Sequence, residues 1–94
     1  MSVAETIRAK LTAALAPQAL DVVDESHRHV GHAGSRPEGE THFRVTIVAA
    51  AFEPMARLER HRSVNAILAA ELAGPVHALA LSALTPAEAA AGRG

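Results

Sequence analysis

The chain has 94 residues, room for one compact domain and not for two, because independent cores usually need more than ~50 residues each. Hydrophobic residues make up 49% and charged residues 20%, the balance of a folding domain. Two phenylalanines are the only large aromatics, which excludes a platform for stacking nucleic-acid bases. Nine basic against ten acidic residues give a net charge of -1, unlike a protein that binds by neutralising many phosphates, and the absence of cysteine removes disulfides and thiolate ligands. Any metal would be held by His or carboxylate.

Ser2-Val3-Ala4-Glu5 has the form in which a serine oxygen and a glutamate carboxylate satisfy the free amides of a first helical turn. Val3, Ile7, Leu11 and Ala14 or Leu15 then share a face, and Pro17 stops the pattern. Leu20 to Glu25 reads as a short strand. Ser26 to Glu40 is polar and broken by Gly31, Gly34, Pro37 and Gly39, a loop. From Thr41 to Ala49 the chain alternates, with Phe43, Val45, Ile47 and Ala49 on one side and His42, Arg44 and Thr46 on the other; this is the clearest strand, and it should form a hairpin with the first.

Pro54 opens a helical region to about Leu72, in which Leu58, Val64, Ile67, Leu68 and Leu72 can share a face, with a break expected near Arg60 to Ser63. Gly74-Pro75 ends it, and Val76 to Leu81 reads as a third strand. Thr85-Pro86-Ala87-Glu88 combines an N-cap, a first-turn proline and a glutamate that closes the capping box, so a short last helix should follow, its Ala-rich end fraying from about residue 89. The order is α-β-β-α-α-β-α, one α+β domain over residues 1–94. The helical crossover favours a parallel pairing of the second and third strands, so the three-stranded sheet should be mixed, with helices packed on one face. No apolar stretch approaches the ~18 residues of a membrane span, and no signal pattern opens the chain, so a cytoplasmic protein is expected.

Six histidines stand out. His27, His29 and His32 fall within one loop, where rings can turn toward a common ion, although the spacing suits a solvated loop as well. His77 stands at the start of the third strand, either a ligand or a histidine packed beside Leu79 and Leu81. His42 and His61 read as surface or capping residues first. Arg57, Arg60, His61 and Arg62 form a cationic run that either contacts phosphates or is a solvated face. The sequence Gly31-His32-Ala33-Gly34 matches a GxxG clamp but lies between strands rather than helices. No nucleophile-base constellation and no paired acids on a shared face appear, so an enzyme is not expected.

Four ordered motifs, Val23-Asp24-Glu25-Ser26-His27-Arg28-His29, Glu40-Thr41-His42-Phe43-Arg44-Val45, Arg60-His61-Arg62 and Val76-His77-Ala78-Leu79-Ala80-Leu81, resemble the BolA family, from the first helix to Glu88. The resemblance implies a fold similar to the type II KH domain. It also implies an adaptor that binds a monothiol glutaredoxin and shares a 2Fe-2S cluster with it, in iron-sulfur cluster assembly, trafficking or iron regulation. Its ligands would be His77 and a loop histidine, His29 or its competitor His32; the partner would add a cysteine and a bound glutathione thiol. The isolated chain, a monomer or weak homodimer away from membranes, is expected to carry no metal. Ligation by neutral imidazole should weaken as pH falls. The family has also been read as transcriptional regulators that bind DNA through a helix-turn-helix-like region, here Arg57 to Leu68 with Arg60-His61-Arg62. Asn65, where a tyrosine is usual, and the negative net charge depart from that pattern.

Overall fold

A computed structural model describes residues 2–25 and 41–92. Helix α1 spans Val3–Leu15, strand β1 Ala19–Asp24 and strand β2 His42–Val48. A 3-10 turn, Ala50–Phe52, leads to helices α2, Arg57–Ile67, and α3, Ala69–Ala73, then strand β3, Ala78–Leu84, and helix α4, Pro86–Ala90. The sheet order is β1-β2-β3, with β1 antiparallel and β3 parallel to β2, the mixed α+β arrangement expected from the sequence.

Both anticipated capping boxes form. Ser2 Oγ accepts from the Glu5 N–H and the Glu5 carboxylate accepts from the Ser2 N–H; Thr85 and Glu88 repeat the exchange at α4. Phe43, Val45 and Ile47 on β2 and Val22 on β1 alternate into a core completed by Ile7 and Leu11 of α1, Phe52, and Val64 and Leu68 at the α2–α3 junction. Arg44 stays exposed on the other side of β2. An ion pair, Lys10 Nζ to Glu71 Oε2 at 2.7 Å, ties α1 to α3.

The helical region departs from expectation in three ways. It begins at Arg57 rather than Pro54, with the Glu59 carboxylate accepting from the Ala56 N–H, and it breaks at Leu68 rather than between Arg60 and Ser63. Leu68 leaves helical geometry (φ -99°, ψ 19°) while its side chain stays in the core. Leu58, expected on the buried face, is 61% exposed. Arg60 and Val64 define that face, and Leu58 lies two residues before Arg60, about 200° around the helix. Strand β3 is shifted two to three residues toward the C-terminus because the Val76 N–H bonds to the Glu71 carbonyl, closing the turn instead of pairing in the sheet. No helix among the described residues is long and apolar enough to cross a membrane.

Candidate functional site

The parallel register of β2 and β3 sets His42 opposite Ala78, so the first residues of the two strands stand side by side at one end of the sheet. His77 immediately precedes β3. Its N–H donates to the Thr41 carbonyl at 2.7 Å, and that oxygen also accepts from Ala78 at 3.2 Å. The chain reaches this position through Gly74, where a β-carbon would stand 3.3 Å from the Ala70 carbonyl, tight for any other residue. His77 is exposed, at a sheet edge that Thr41 anchors from a fully buried position.

His42 joins this end. Its ring lies nearly parallel to that of His77, with centroids 6.2 Å apart and an interplanar angle of 18°. Thr41 Oγ1 and His42 Nδ1 are 2.8 Å apart, a hydrogen bond whose donor is set by the imidazole tautomer. The His42 carbonyl accepts from the Glu25 N–H at 2.8 Å, and the Glu25 carboxylate accepts from Arg44 Nε at 3.0 Å. Glu25, the last described residue before position 26, therefore lies beside His42, and the described chain resumes at Thr41. The sequence reading of Ser26 to Glu40 as a loop, and the candidate ligands His29 and His32 with their neighbour His27, lie outside the described residues.

The sequence reads His42 as a surface or capping residue first, and the ring is half-buried beside that of His77. A signal is present nonetheless: two strands joined by a helical crossover are parallel, so His42 at the start of one and His77 just before the other fall at the same end of the sheet. Among the described residues no group of three or more His, Asp or Glu side chains could hold a metal ion.

The cationic run is divided by the fold. Arg57, His61 and Arg62 are exposed, and Arg57, Leu58 and His61 line an open depression of about 350 Å³. Arg60 turns inward and is 6% exposed. Its Nε donates to the Met55 carbonyl and its Nη1 to the Ala83 carbonyl, both at 3.1 Å, and Nη1 lies 2.6 Å from Glu88 Oε1. The reading of Arg60 as a nucleic-acid contact is therefore corrected: its guanidinium is consumed in joining α2 to the end of β3 and to α4. The guanidinium, with the Thr85 N–H second, holds the Glu88 carboxyl down to about 2.

Comparison with known proteins identifies the family. The family model described as BolA-like protein matches residues 11–88. The chain is 55% identical over 82 residues to BolA-like protein 1 of Mus musculus, covering 87% of this chain and 57% of that relative's length. It is 47% identical over 85 residues to the DNA-binding transcriptional regulator BolA of Escherichia coli, covering 90% and 77%. The structure of BolA1 from Arabidopsis thaliana superposes with a TM-score of 0.84 at 41% identity, covering 94% of this chain and 96% of that one.

Proposed function

Because the chain belongs to the BolA family, we propose that it is an adaptor that binds a monothiol glutaredoxin and co-ligates a 2Fe-2S cluster with it, serving cluster assembly, trafficking or iron regulation. One observation carries this reading: an exposed imidazole, His77, stands at the end of the sheet that also holds Glu25 and Thr41, the described residues flanking the histidine-bearing stretch 26–40 in sequence.

The donor set fits such a half-site. With no cysteine, this chain supplies nitrogen alone, from His77 and from His29 or, in its place, His32. Two sulfur ligands, the partner's cysteine and a glutathione thiol, would complete the set. When bound, the cluster would supply transferable iron and sulfide and, through two nitrogen ligands, a raised reduction potential of the kind seen where histidine replaces cysteine. This chain's residues present and orient the imidazoles. Thr41 fixes the backbone of His77, and the bond from the Glu25 N–H to the His42 carbonyl holds Glu25 at the same end of the sheet.

Visible absorption and circular dichroism of the protein mixed with a monothiol glutaredoxin, glutathione and reconstituted cluster test the proposal. His77→Ala should abolish the mixed-complex spectrum, and one of His29→Ala and His32→Ala should do the same. A spectrum and cluster lifetime unchanged in His77→Ala would defeat it.

A second reading, DNA binding, is supported by the name of the E. coli relative and by exposed Arg57, His61 and Arg62 on α2. Arg57→Ala and Arg62→Ala should each weaken a gel shift and lower the slope of its salt dependence by about 0.9 for each phosphate that is no longer neutralised. Absence of any shift at micromolar protein and low salt excludes this reading.

A further inference from the structure

His77 has a backbone held on both sides, but an exposed side chain at the end of a strand can sample every staggered rotamer unless something restrains it. Among the described residues, the imidazole of His42 faces its ring, nearly parallel, with centroids 6.2 Å apart. The His42 ring is itself tied. Its Nδ1 is in hydrogen-bond contact with the Oγ1 of Thr41, whose side chain is wholly buried and cannot swing away. Its backbone is held in β2, and its carbonyl carries the Glu25 N–H. A hydrogen bond from the buried Thr41 to the half-buried His42, and a loose parallel stack from His42 to the exposed ring of His77, thus run in sequence.

From this arrangement we infer that His42 is a positioning residue: its ring, braced by Thr41, holds the His77 imidazole in one orientation before any partner arrives. The inference deepens the cluster-sharing reading and rests on it for its consequence, though the restraint itself belongs to the free protein. A preset ring removes a rotamer search from assembly of the shared site, and groups that orient a metal-binding imidazole typically change metal affinity by ten- to hundredfold when removed. The stack needs a flat ring at position 42. The Thr41 contact adds a hydrogen bond that fixes the angle of that ring.

The test uses the full chain, first alone and then with a monothiol glutaredoxin. In the free protein, three-bond couplings across the His77 Cα–Cβ bond report its rotamer, and amide spectra away from this end confirm an intact fold. Wild type should show one rotamer. His42→Ala should show averaged couplings, and His42→Phe, which keeps a ring to stack, should restore the single rotamer. Should His42→Ala not fold, His42→Gln, which retains polar atoms near Thr41 without a ring, replaces it with the same expectation. In the mixed complex, loss of visible circular dichroism should be roughly tenfold faster or more for His42→Ala than for His42→Phe. Equal His77 couplings in wild type and His42→Ala, or a His42→Phe protein indistinguishable from His42→Ala, overturns the inference. If His77→Ala itself keeps the cluster, the adaptor reading falls. If His77→Ala loses the cluster while His42→Ala keeps both rotamer and lifetime, the role of His42 alone falls.

Discussion

Replacing Arg60 with alanine tests whether the arginine at the head of the Arg60-His61-Arg62 run is a surface group or an internal strut. Its guanidinium donates to two backbone carbonyls, Met55 and Ala83, at 3.1 Å each, and the residue is almost entirely covered. A hydrogen bond from a charged donor contributes roughly 1.5–3 kcal/mol, so loss of the two carbonyl bonds alone should cost about 3 kcal/mol at the lower end. The Glu88 contact is left out of this sum because its carboxylate is partly exposed and solvent screens the pair. For a domain of this length about 3 kcal/mol corresponds to a fall in Tm on the order of 12–24 °C. Arg62→Ala, at an exposed position, should stay within about 0.5 kcal/mol of wild type. Urea denaturation followed by circular dichroism measures both, with the slope checked for constancy. Arg60→Lys should recover only part of the loss, since an ammonium cannot present the fork that serves carbonyls and carboxylate together. If Arg60→Ala and Arg62→Ala unfold at the same urea concentration, the internal role of Arg60 is wrong.

The remaining predictions concern other contacts. Glu88 has a folded-state pKa depressed to about 2, so its stabilising contribution is present above the unfolded carboxylate value near 4.5 and is lost as pH falls toward 2. Glu88→Gln should therefore be less stable than wild type at neutral pH, with the gap closing across that window in acid-titrated urea melts; a gap that stays constant from pH 6 to pH 2 contradicts the assignment. Ser2→Ala removes the N-cap of α1 and should cost about 1 kcal/mol by chemical denaturation, whereas an unchanged midpoint would mean the cap is not formed in solution. Leu11→Ala, at a fully buried position of α1, should cost roughly 2–5 kcal/mol. His77→Ala, at an exposed position, should leave the midpoint within about 0.5 kcal/mol of wild type, so that any loss of cluster binding it causes is not a loss of fold.

Features legible in the sequence are those written within a few residues. Each capping box spans four positions, and the alternation from Phe43 to Ile47 carries its own period, so neither needs knowledge of the rest of the chain. The mixed sheet follows from connection length, since a hairpin and a helical crossover impose opposite strand directions. Arg60 is not legible, because a charged side chain faces water by default and its Ala83 and Glu88 partners lie 23 and 28 residues away. The break at Leu68 is equally hidden: Arg60 to Ser63 is polar enough to suggest a bend, yet it stays helical, with Arg60 turned inward. At the candidate site His77 is legible from the Gly74-Pro75 turn before it. Its neighbour His42 needs the parallel register, a relation between two distant segments rather than a local pattern.

The two readings of function make different demands on β3. Its C-terminal end is clamped, with the Ala83 carbonyl on Arg60 and the Thr85–Glu88 box directly after it. Its N-terminal end presents His77, six residues before Ala83 and about 20 Å away along an extended strand. A substitution in the Arg60-His61-Arg62 run can therefore reach DNA binding or the fold, according to whether it touches Arg62 or Arg60, and neither route passes through the imidazole end. Loss of DNA affinity in an Arg60 variant would be loss of the clamp, since a guanidinium already committed to two carbonyls and a carboxylate has no face to offer a phosphate. The DNA reading must stand on Arg57, His61 and Arg62 in a chain of net charge -1. The adaptor reading asks less of overall charge: an accessible imidazole with a rigid backbone beneath it, which Thr41 and the β2–β3 pairing already provide.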